Sequence, residues 1–183
     1  MPWWPWRAGP AVEAGSTTEA GLRVGVPAPR AGERMDQLDL RGTVAVAPVS
    51  MTRIAEILDR LEIRYLTDGD GSLLAMWERH AVLFALEGPE DEILVMRARA
   101  HATVPPDWAD RAYRVVNEWN HTRRFCKAYV GDPTERGQLP IYAEMQVPLV
   151  TGAHDALLTE LVDCSAAVAV AFVDWLHEDG GLL

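Results

Sequence analysis

The chain has 183 residues, 49% of them hydrophobic, and a formal charge of −10. That is the composition of one ordinary globular domain, able to form a core without metal or disulfide staples. Cys126 and Cys164, the only cysteines, show no CxxC spacing, which excludes a disulfide framework and leaves them as small buried hydrophobes. The longest apolar run near the C-terminus, Cys164 to Val173, is about half of what a bilayer crossing needs. The first residues lack the apolar stretch of a secretory signal and fit no transit peptide, so the expectation is a cytoplasmic protein with no transmembrane span. The Asn120-His121-Thr122 sequon has no meaning in that setting.

Residues 1–47 balance five Arg against five Asp/Glu, so the whole charge of −10 falls on residues 48–183. An acidic domain repels phosphate backbones, which argues against nucleic acid as a partner. Pro and Gly recur through 1–47 with no sustained period of 2 or 3.6, and an N-terminal tail without stable elements is expected there. Trp3, Trp4 and Trp6 form a Trp/Pro cluster that either docks on an apolar groove or stays exposed. A start at Met35 or Met51 is a further alternative.

From residue 48 the pattern changes. Ile54, Ile57, Leu58 and Leu61 recur at helical spacing behind Ser50, which predicts an amphipathic helix with Ser50 as N-cap, a supporting Glu56/Arg60 pair and an end near Glu62. Arg64–Thr67, Ser72–Glu78, Ala81–Glu87 and Ile93–Ala102 read as a meander of strands. Asp68-Gly69-Asp70-Gly71 lacks the further ligands of a calcium loop and is a hairpin turn. Pro105-Pro106-Asp107 ends the sheet and opens a second helix with Asp107 as cap, Trp108, Ala112, Val115 and Trp119 along its buried stripe, and Asp110, Arg111, Arg114 and Glu118 facing away. Strands Phe125–Val130 and Leu139–Leu149 follow, joined by a polar loop. The last helix, about Ala153 to His177, carries one stripe of Leu157, Leu161, Cys164, Val168, Phe172 and Trp175. A second stripe of Leu158, Val162, Ala169, Val173 and Leu176 makes its apolar face wider than one sheet contact needs. The sum is an α+β fold, an antiparallel sheet packed with about three helices in the order α-β-β-β-β-α-β-β-α.

Alternation sorts the strands into faces. Val95, Arg97, Arg99 and His101 oppose Leu94, Met96, Ala98 and Ala100. Phe125, Lys127 and Tyr129 oppose Cys126, Ala128 and Val130, and Tyr142, Glu144 and Gln146 oppose Ile141, Ala143, Met145 and Val147. If the polar and aromatic rows share one face, Arg97, Arg99, Phe125, Lys127, Tyr129 and Tyr142 make a platform suited to a peptide or a second subunit. The competing reading is a solvated sheet face on which Arg stems cover aromatic rings. His80, His101, His121, His154 and His177 are scattered, with no HExxH and no Cys ligand nearby, so no metal site is expected. No nucleophile elbow, phosphate loop or dinucleotide fingerprint appears, and neither catalytic residues nor cofactors are assigned.

Asn117-Glu118-Trp119-Asn120 at the end of the middle helix, running into Arg124-Phe125-Cys126-Lys127-Ala128-Tyr129, resembles the YbjN family, labelled bacterial sensory transduction regulators. The resemblance covers roughly residues 50–178. It implies a fold similar to type III secretion chaperones, which dimerise and bind protein segments, and it supplies no catalytic residues. Read physically, Trp119 belongs to the buried stripe, Asn120 suits a left-handed helix-closing position and Asn117 bonds a nearby backbone group, so all three are structural. The expectation is a non-enzymatic protein-binding module with a chaperone-like or regulatory role, a homodimer that also binds an unidentified protein. The alternatives are a small enzyme whose pocket is built from dispersed residues and a nucleic-acid binder using the Arg/Tyr face.

Overall fold

A computed structural model describes residues 45–183. Residues 1–44, which include Trp3, Trp4, Trp6 and most of the expected tail, lie outside the described residues. The domain opens with α1 (Met51–Arg60), continues through β1 (Tyr65–Thr67), β2 (Leu73–Met76), β3 (His80–Glu87) and β4 (Ile93–Val104), and crosses over α2 (Ala109–Thr122) to β5 (Lys127–Val130). β6 (Leu139–Pro148) and α3 (Asp155–His177) complete it. Every strand pairing is antiparallel, and the sheet order is β1-β2-β3-β4-β6-β5. The chain thus leaves β4, lays down β5 at the far edge, and returns to fill the space between with β6.

Ser50 caps α1 as expected, its Oγ accepting from the Arg53 N–H at 3.3 Å. Arg60 does not depend on Glu56; its guanidinium donates to Thr159 Oγ1 at 3.4 Å. Arg53 ties three segments together, donating to the Ala47 and Pro48 carbonyls at 2.8 and 2.7 Å, to the Ala153 carbonyl at 2.8 Å and to Asp155 Oδ1 at 2.6 Å. Beside it Ala47 and Ala153 form an antiparallel bridge. Gly152, at φ 80°, makes that approach possible, because any Cβ there would collide with the Ala47 carbonyl. Asp68–Gly71 is the expected hairpin turn, with Asp70 Oδ1 accepting from the Ser72 N–H and hydroxyl.

The helices share one core with the inner face of the sheet. Across that face runs a row of small side chains in register, Ala75, Val82, Ala98, Ala143 and Ala128, which lets a helix come close. Ile54, Ile57 and Leu58 of α1, Val115, Val116 and Trp119 of α2, and Leu158, Val162, Phe172 and Val173 of α3 fill the space above it. Trp119 stacks edge-on to Phe172 at 4.9 Å and lies 5.4 Å from Trp175.

The structure corrects three sequence expectations. Asp107 is not the cap of α2: Pro105 and Pro106 start a short 3-10 turn over Pro106–Trp108, so the α-helix begins later, at Ala109, with no side-chain cap. Trp108 therefore falls outside the buried stripe and is exposed, with the Arg111 guanidinium 4.8 Å above its ring. In α3 the second stripe is the one wholly in the core, while Leu157, Leu161, Cys164 and Val168 of the first stay partly exposed. By length and composition α3 as a whole would suffice to cross a bilayer, but here it packs along β3, β4 and β6.

Candidate protein-binding face

Because side chains of directly paired residues share a face, the strand registers place the platform residues. Arg97 lies opposite Glu144, and Glu144 opposite Lys127; Arg99 lies opposite Tyr142, and Tyr142 opposite Tyr129. These six strand positions therefore share the outer face, away from the helices, which meets the condition that the alternation left open. Phe125 precedes β5 and is 48% exposed at the adjoining edge. The Tyr129 and Tyr142 rings stack at 5.3 Å, and the Arg99 guanidinium stands 6.0 Å from the Tyr142 ring centroid.

Sequence reasoning placed Glu144 on this face but left it out of the platform. It is the hub. One carboxylate oxygen accepts from Arg97 Nε and from the Tyr129 hydroxyl at 3.0 Å, the other from Gln146 Nε2 at 2.6 Å. A second carboxylate, Glu87, stands 3.4 Å from the far end of Arg97. Burial opposes the Glu144 charge, yet hydrogen bonds from Arg97, Gln146 and Tyr129 together hold the carboxyl below its ordinary range. Burial, reinforced by that same carboxylate, pushes the Tyr129 phenol up to about 12, so it stays a donor well into alkaline solution. The alternation contained part of this signal, since it set Glu144 on the same face of its strand as Tyr142 and Gln146. What it lacked was the register that puts Arg97 beside it.

The same registers carry the face across the rest of the sheet. One row reads Leu66, Leu74, Leu83, Arg97, Glu144, Lys127, and the next Met76, Ala81, Arg99, Tyr142, Tyr129. Leu66 is 65% and Met76 50% exposed. The outer face is thus apolar over β1–β3 and cationic and aromatic over β4–β6–β5. It is not uniformly wet as alternation suggested, for Val95, flanked by Ala85 and Gln146, is fully buried.

Of the motif residues, Trp119 is buried as expected, while Asn120 is structural in a different way from that expected. Asn120 is not in a left-handed cap; it remains helical and brackets the backbone of β5, Nδ2 donating to the Ala128 carbonyl at 2.9 Å and Oδ1 accepting from its N–H at 2.7 Å. Asn117 is exposed and Trp119 is buried.

The histidines go to separate duties. His154 Nδ1 caps α3 by accepting from the Leu157 N–H at 3.0 Å, and His121 and His177 end helices. His80 and His101 both contact Trp77. His80 stacks on that indole at 5.0 Å, and His101 Nε2 lies 3.0 Å from its carbonyl. Among the described residues no three His, Cys, Asp or Glu side chains gather as metal ligands. Burial pushes the Cys126 thiol up to about 11 and raises that of Cys164, which favours the protonated thiol over the thiolate.

Comparison with known proteins agrees with this architecture. A crystal structure of YbjN from E. coli, titled a putative transcription regulator, superposes with a TM-score of 0.61 at 12% identity, over 74% of this chain and 97% of the other. At that identity the likeness is one of fold. No curated protein matches the sequence. The model of the YbjN family, "Putative bacterial sensory transduction regulator", matches residues 50–178, a span from the cap of α1 to the end of α3, and the chain belongs to that family.

Proposed function

We propose that the chain is a non-enzymatic protein-binding regulator that presents the outer face of its sheet to another protein. The observation that supports this reading is the graded face itself. Leu66 and Met76 are exposed beside half-buried Leu74 and Leu83, and the rows end in a fixed Arg97, Glu144, Tyr129 and Tyr142 cluster. Apolar area next to oriented aromatic and cationic groups is the makeup of an interface core and its rim. The family's description as regulators is in keeping with it.

The test compares proteins retained by the 183-residue chain with those retained by a Leu66→Glu, Met76→Glu double variant of equal melting temperature. A partner lost only from the variant is the expected result, and an unchanged set of partners would refute the reading. Self-association belongs to the same proposal. Light scattering across a concentration series should give a multiple of the 20.2 kDa chain mass, and a particle of single-chain mass at micromolar concentration would remove the homodimer.

A further inference from the structure

The two strands at one edge of the sheet are finished differently. Along β5 the outward backbone groups of Ala128 are taken up by the Asn120 side chain, which blunts that edge against another strand. β6 has no such cover along its last residues. Its ladder with β5 stops at Lys127 opposite Glu144, while its ladder with β4 runs on to Pro148 opposite Ile93. Met145–Pro148 is therefore an overhang paired on one side only among the described residues, roughly 13 Å of strand.

The direction of its free groups follows from the alternation of an antiparallel ladder. The Leu149 N–H donates to the Glu92 carbonyl on the β4 side, and the Pro140 carbonyl accepts from the Gly131 N–H on the β5 side. By that parity the main-chain groups of Gln146, and the carbonyl of Pro148, point into the lane β5 has vacated. Pro140 and Pro148 fit the same parity, since proline there costs the β4 ladder no donor. Among the described residues β5 does not extend along this lane, because the chain bends at residues 124–125 before β5 begins. What remains is a groove of about 660 Å³. Its lining includes the apolar Phe125, Val147 and Leu161 and the cations Arg123, Arg124 and Lys127.

We propose that this overhang receives an extended segment of a partner protein as an added strand, and that the segment alternates apolar and acidic residues. Its backbone would pair with Gln146, its apolar side chains would meet Val147 and Leu161, and its carboxylates would meet Arg123, Arg124 and Lys127. Charge selects that partner. A domain that carries the chain's whole net charge of −10 places three cations within five residues here, and the acid lining the groove, Glu144, is already held by Arg97, Tyr129 and Gln146. The inference rests on the protein-binding reading above and narrows it to one edge.

The probe is a fluorescein-labelled octapeptide alternating valine and glutamate, titrated by anisotropy against the 183-residue chain. Expected are binding that weakens with salt, at least a tenfold loss when the peptide's backbone amides are N-methylated, and no binding of a valine/lysine counterpart. Arg124→Glu and Gln146→Pro should each cost a similar factor, the second because it removes the N–H that faces the groove and leaves the β4 ladder whole. Should Gln146→Pro fail to fold, the methylated peptide carries the same test on the unaltered protein. Equal affinity for the methylated peptide, or no binding of the glutamate peptide, overturns the proposal. If the peptide fails while the Leu66→Glu, Met76→Glu variant still loses a partner, the groove is wrong and the binding face stands.

Discussion

The inner row Ala75, Val82, Ala98, Ala143, Ala128 and the outer row Leu66, Leu74, Leu83, Arg97, Glu144, Lys127 are one residue apart on the same strands. On the inner row every side chain is small and buried, and the helices lie close over it. On the outer row the side chains grow, and their polarity changes from one edge of the sheet to the other. The inner face has one neighbour, known in advance to the sequence, and its residues are selected for volume. The outer face must stay soluble alone and still offer contacts, so its apolar and charged parts are kept apart, with Arg97 and Glu144 neutralising each other between them.

Substitutions should separate the two faces by the size of their effect. Trp119→Ala, which empties the space between Phe172 and Trp175, should cost about 3–5 kcal/mol in urea denaturation; a loss near zero would mean that the helical layer does not carry the fold. Ala143→Leu tests the same face from the opposite direction. Forcing volume under α3 should cost about 1–3 kcal/mol, whereas an unchanged midpoint would show that α3 can lift away freely.

The third test is pH. Burial, then the charge of His101, lowers the His80 imidazole pKa, with Asp174 opposing. The folded chain then resists a proton that the unfolded chain accepts. Stability is full above about pH 6.5 and is lost as pH falls from there toward the folded value. The melting temperature should drop more between pH 7 and 5 for the unaltered chain than for His80→Gln, and identical profiles would contradict the assignment. Glu144, whose carboxyl is held low, gives up its contribution only in more acidic solution. The smallest effect belongs to the outer face. Arg99→Ala, at an exposed position, should change stability by no more than about 0.5 kcal/mol, and a larger loss would make this face part of the scaffold rather than a surface for recognition.

Much of this was legible in local pattern. Ser50 before a helical period, the Asp68–Gly71 turn and the alternation along β4, β5 and β6 each depend on neighbours close in sequence, and the structure keeps them. The failures share a different property. Asp107 lost its cap because two prolines ahead of it chose a tighter turn, and Trp108 left the core with it. Which stripe of α3 is buried depends on the angle at which the helix meets the sheet, and both stripes have the composition of a core. The role of Glu144 needed the register between β4 and β6, residues 47 apart in the chain. The overhang of β6 needed the point at which β5 begins, which a bend outside either strand decides.

The Arg53 brace has a mechanical consequence. Its guanidinium joins the entry segment at Ala47 and Pro48 to Ala153 and Asp155 at the head of α3, beside the Ala47–Ala153 bridge. A pull on residue 45 therefore does not peel α1 away one contact at a time. It loads these hydrogen bonds together and passes the force into α3, the longest helix of the core. Tension applied at residue 45 is thus shared with the head of a helix that packs along β3, β4 and β6.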